Sequence, residues 1–137
     1  MFTADPNSGN VINGENGQVA CDSYHKYKED VQLLKNMSAN SYRFSIAWTR
    51  ILPKGTGEIN QLGIDYYNNL INELIANEIT PAVTLYHWDL PQALQEQGGW
   101  LNPESAYWFE NYARIGTISV TILARLQYVE VQTPLTP

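Results

Sequence analysis

A chain of 137 residues with 44% hydrophobic and 16% charged residues supports one domain with a core and excludes two. Its formal net charge of -6 argues against a nucleic-acid partner, which would select a basic face. No apolar run approaches the roughly 18 residues of a membrane span. The opening "MFTADPNSGN" lacks the basic start and apolar core of a signal peptide, so the expected product, as written, is cytoplasmic.

Residues 1–20, rich in Asn, Gly and Ser with "NGENG" at 13–17, read as loop. Asp22 or Ser23 then caps a helix through "SYHKYKEDVQLLKNM", where Tyr24, Tyr27, Val31 and Leu34 fall on one stripe. Cys21 and His25 share a face at i and i+4, but two candidate ligands fall short of the three or four that zinc takes, so no metal site is assigned. As the single cysteine, Cys21 forms no intrachain disulfide. Asn36 opens a glycosylation sequon, "NMS", which matters only if the protein enters the secretory pathway.

The alternating, aromatic-rich "SYRFSIAW" (41–48) reads as a strand, and "TRILPKGTGEIN" as a long loop broken by Pro53, Gly55 and Gly57. A helix over 61–78 turns Ile64, Tyr67, Leu70, Ile71, Leu74 and Ile75 inward. The near-continuous apolar run "ITPAVTLYH" (79–87) suits a strand covered on both faces. A third helix begins near Pro103–Glu104 and runs through "ESAYWFENYAR"; beyond it, Gly116 and "TISVTI" are poor helix material.

Helices alternating with strands indicate parallel βαβ units. A barrel of such units needs eight strands and typically about 250 residues. This chain supplies two clear strands and a candidate third, and so reads as a piece of an α/β barrel. Catalytic groups of such barrels gather at the C-terminal ends of the strands, where His87 and Trp88 fall. If the strands are adjacent, Arg43 converges on the same mouth. Pattern alone also allows Arg43 to be a core-rim cation paired to a carboxylate, His87 a satisfied rim histidine, and Trp88 ordinary core.

Four blocks narrow the choice: "ACDSYHKYKEDVQLLK", "YRFSIAWTRILPKG", "GIDYYNNLINELI" and "VTLYHWDLPQALQEQGGWLNP". In order, over about residues 10–115, they resemble the family-1 glycoside hydrolases, the β-glucosidase, lactase and myrosinase relatives. The resemblance implies part of a (β/α)₈ TIM barrel, roughly helix 1 through helix 3, with residues 116–137 a divergent tail. It implies that His87 and Trp88 bind a glucose-like sugar of a β-glycoside, and that Arg43 lies against the nucleophilic carboxylate. A guanidinium there favours the charged form of the carboxylate.

The implied reaction is retaining hydrolysis of O-glycosyl bonds. One carboxyl group protonates the leaving oxygen while a second, about 5–5.5 Å away, attacks the anomeric carbon; no cofactor is needed. The family carries these glutamates in Thr-x-Asn-Glu-Pro and Thr-Glu-Asn-Gly blocks, and neither occurs in these 137 residues. Glu15 of "NGENG" belongs to a loop segment, and Glu130 of "YVEVQTP" reads as a solvent-facing strand residue between Val129 and Val131. No catalytic residue is therefore assigned, and the chain alone is expected to be inactive. The alternatives are a non-catalytic carbohydrate-binding remnant and an unstable truncated product. Loss of family character near residue 115 suggests a frameshift, a retained intron or an alternative exon.

Overall fold

The computed structural model describes residues 19–118 and 128–131. In chain order the elements are α1 (Ser23–Asn36), β1 (Ser41–Ser45), α2 (Trp48–Ile51), α3 (Gln61–Ala76), β2 (Thr80–Tyr86), α4 (Gln92–Gln95), a 3-10 turn (Gly99–Leu101), α5 (Ser105–Ile118) and β3 (Tyr128–Val131). The strands form one sheet in the order β1-β2-β3. Both pairings are parallel, with Arg43 opposite Ala82, Ser45 opposite Thr84, and Thr84 opposite Glu130. The alternation read from the sequence therefore gives the α/β, parallel-sheet architecture expected of it.

One side of the sheet is closed by helices. Tyr42 and Phe44 of β1 point to that side and pack against a cluster of Val31, Leu70, Leu74 and Ile79. A larger cluster joins Ile46, Trp48, Ile51 and Leu52 to Ile64, Tyr67 and Ile71 of α3, Val83 and Leu85 of β2, and Tyr112 of α5. Burial of each such side chain contributes roughly 1.5–3 kcal/mol. The inward stripe of α3 is nearly the one its spacing predicts, with Gly63 added and Ile75 only partly buried. On β1 the other face differs: Ser41, Arg43 and Ser45 are exposed, giving a strict alternation along five residues.

Several local expectations are corrected. Neither Asp22 nor Ser23 caps α1 with its side chain. Asp22 adopts a left-handed backbone and its carboxylate meets His25 Nδ1 at 2.7 Å, while the Ser23 hydroxyl donates to Asp30 at 2.7 Å. The local partners outcompete the cap. The strand expected over 41–48 ends at Ser45, and α2 takes its last residue, Trp48, and runs on into what reads as loop. That turn of helix is fixed from outside: Trp48 Nε1 donates to the Gly55 carbonyl at 2.8 Å, and Asn60 Nδ2 donates to the Arg50 carbonyl at 3.0 Å.

Helix α5 likewise runs through Gly116 and Thr117, against their propensity. A Cβ on buried Gly116 would lie 3.6 Å from Leu85, so this is where the helix rests on β2. Thr117 bonds back to the Ala113 carbonyl at 2.7 Å, satisfying its hydroxyl within the helix. The candidate third strand is present as β3, whereas the facing of the Glu130 side chain, like residues 1–18 of the loop expected over 1–20, lies outside what is described.

Candidate functional site

Parallel strands bring their C-terminal ends to one edge, and the loops leaving Ser45 and Tyr86 open there. Arg43, Phe44, Ser45, Thr84 and His87 line a hollow of about 440 Å³ at this edge. Two of the three residues singled out from the sequence, Arg43 and His87, thus meet. Arg43 is exposed and its Nε donates to Thr84 Oγ1 at 3.0 Å, across β1 and β2. This bond orients the guanidinium. Thr84 is only 1% exposed and lies in the middle of the sheet's apolar run. The His87 ring is exposed and makes no hydrogen bond with a described residue.

Trp88 does not line that hollow. It stands beside it, 53% exposed, with a left-handed backbone at φ 68. A bulky residue in this region carries a cost on the order of 1–2 kcal/mol and holds there only when its surroundings demand it. Asp89 supplies the demand. One carboxylate oxygen accepts the His87 N–H at 3.2 Å and the other accepts the Trp48 N–H at 3.3 Å, tying the loop after β2 to the loop after β1.

Aromatic packing fixes the floor beneath these loops. Trp48 stacks on Tyr112 with ring centroids 4.5 Å apart, and Trp100 meets Tyr86 edge-on at 5.1 Å. Trp100 Nε1 also donates to the Tyr86 hydroxyl at 3.1 Å. The sequence reading missed Thr84, Ser45 and Asp89. Their one signal was polarity in an otherwise apolar setting at a strand end.

A second hollow, about 460 Å³, opens on the helix side of the β1 edge and includes Cys21, His25, Asp30, Tyr24, Tyr66 and Arg50. The Arg50 guanidinium lies 4.9 Å from the Tyr24 ring centre and 4.8 Å from that of Tyr66. Cation and aromatic faces satisfy each other here, so the hollow is built around an internal contact. Cys21 precedes α1, so it does not share a helix face with His25, and its thiol sits 3.4 Å from the Ser23 hydroxyl. Among the described residues, no three His, Cys, Asp or Glu side chains are grouped to hold a metal ion.

An α/β sector with a polar hollow at the C-terminal edge of its parallel strands is the design of a barrel enzyme's working face. The family follows from comparison: the Glycosyl hydrolase family 1 profile matches residues 1–126, and the chain belongs to that family. It is 55% identical over 107 residues to Beta-glucosidase A of Thermotoga maritima, covering 78% of this chain and 24% of that one. It is 59% identical over 106 residues to Myrosinase 1 of Brevicoryne brassicae, covering 77% and 23%. The solved beta-glucosidase from Thermotoga maritima in complex with cyclophellitol superposes with a TM-score of 0.85 at 47% identity, covering 93% of this chain and 29% of that one. The chain therefore spans about a quarter of the length of the relatives it matches, and its fold is a sector of their barrel.

Proposed function

We propose that this segment is the glycone-holding sector of a retaining β-glycosidase barrel. His87 and Trp88 contact the sugar, and Arg43 is the cation beside the nucleophilic carboxylate. The observation that carries the reading is the shared hollow of Arg43, Thr84 and His87 at the C-terminal edge of the strands. Two features of the geometry support it. The Arg43 guanidinium is aimed by Thr84, and the His87 ring has its nitrogens available for sugar hydroxyls. The Thermotoga maritima relative has been solved in complex with castanospermine and with deoxynojirimycin, which supports a sugar-like ligand.

Binding and cleavage separate in this reading. Cleavage needs two carboxyl groups in different protonation states, one as acid and one as nucleophile. The 137 residues contain neither family block that provides them, so the polypeptide alone holds sugar without hydrolysing it. Calorimetry with gluconolactone is expected to show saturable binding that His87→Ala abolishes; no heat at millimolar ligand would end the binding claim. Incubation with an aryl β-glucoside is expected to release aglycone no faster than buffer. Release that disappears on His87→Ala would overturn the inactivity.

A further inference from the structure

We propose that Asn36 is an acceptor for an N-linked glycan when the chain is carried into the secretory pathway. Asn36-Met37-Ser38 has the Asn-x-Ser form that oligosaccharide transfer requires, and the sugar site makes no use of it. Asn36 is the last residue of α1, with Met37 as the C-cap. All three residues are exposed, Met37 to 77%. The Met37 and Ser38 N–H groups bond back to the carbonyls of Leu33 and Lys35, and Ser38 leaves the helix at φ 59. The tripeptide is thereby displayed on a tight turn.

The surrounding contacts single out this amide. Gln32 and Lys35 both donate to Asn77 Oδ1, at 3.0 and 3.1 Å, and the Asn77 amide donates to the Glu73 carbonyl at 2.9 Å. Asn77 is thus built into the contact between α1 and α3. The Asn36 side chain makes no hydrogen bond with a described residue. A glycan there breaks no side-chain hydrogen bond among the described residues.

Position settles its effect on the sugar site. Just after Asn36, the Asn40 carbonyl accepts the Thr80 N–H at 2.9 Å, at the start of β2. His87 follows the other end of that strand, about 20 Å away at the usual strand rise. The glycan grows from the face opposite the mouth. Its first sugars cover Leu33, 61% exposed and one turn back, together with Met37. In the transfer, Asn36 Nδ2 loses a proton and bonds to the anomeric carbon of a lipid-diphosphate-linked oligosaccharide, and the lipid diphosphate leaves with the bonding electrons.

The test expresses all 137 residues behind a cleavable secretion signal in eukaryotic cells, with a second sequon in an appended tag to report lumenal entry. Transfer to a nascent chain does not require a stable fold. The expected product carries two endoglycosidase-sensitive glycans. Asn36→Gln and Ser38→Ala are expected to carry one, and Ser38→Thr to keep both. A wild-type chain carrying only the tag glycan overturns the proposal, as does a second glycan that survives Asn36→Gln.

Discussion

The hydroxyl of Tyr112 lies 2.9 Å from the Ile46 carbonyl and 2.6 Å from the Leu85 carbonyl, so a single α5 oxygen joins the end of β2 to the residue following β1. Tyr112→Phe leaves those buried carbonyls without their donor, at a cost of about 1–3 kcal/mol. A lower urea midpoint with unchanged slope is the expected reading. Buried tyrosines also set an alkaline limit. Desolvation pushes Tyr67 up to about 12, against the hydrogen bond from the Ala47 N–H, and raises Tyr112 well above its ordinary value. A raised folded value means stability that is complete below about pH 10, where the unfolded side chain stays protonated, and lost as pH climbs toward 12. Tyrosinate absorbance and circular dichroism are expected to change together over that window; ionisation of all tyrosines before any loss of ellipticity would refute it. At this scale the position of His87 and Trp88 just past the end of β2 was legible, because they close an apolar run. Thr84 was not, since a threonine in a β-branched run is ordinary strand material.

Among the elements, α3 shows how a helix seats against its predecessor. Gly63 lies in its first turn, and a Cβ there would fall 2.0 Å from the Arg50 carbonyl oxygen at the end of α2. The obstacle is backbone, so Gly63→Ala must push α2 from α3, and the expected loss is roughly 1–3 kcal/mol. A thermal midpoint that stays put or rises would contradict this packing. Asp89 works between loops rather than helices. Asp89→Ala removes the acceptor of both the His87 and Trp48 N–H groups, and the left-handed Trp88 is expected to relax. Weaker gluconolactone binding at little cost in stability would show it; unchanged affinity would show that the tie does not position the proposed sugar contacts. The long helices and both main strands follow from periodicity and burial. Helix α2 escaped notice because its four residues hold their shape through hydrogen bonds to Gly55 and Asn60, partners lying outside the turn.

As a whole, the described residues form a three-stranded parallel sheet covered by helices on one side, and they align with little more than a quarter of a barrel. A parallel sheet of this kind normally closes on itself or is covered on both faces. Here the outer edge of β1 has no strand beside it among the described residues. Unpaired edges are templates for association. The isolated chain is expected to self-associate with rising concentration, read by sedimentation velocity; a sharp monomer at every concentration would count against it. The sequence showed this incompleteness through its strand count, while the geometry of closure belongs to long-range pairing that no local pattern encodes.

The alternating face of β1 carries one more consequence. Tyr42 and Phe44 are committed to the helices, while Ser41, Arg43 and Ser45 meet water without exposing an apolar surface. Chains leave the ribosome N-terminal end first, and their domains begin to fold during synthesis. A sector whose apolar side is already covered and whose open strand face is polar suits that order of events.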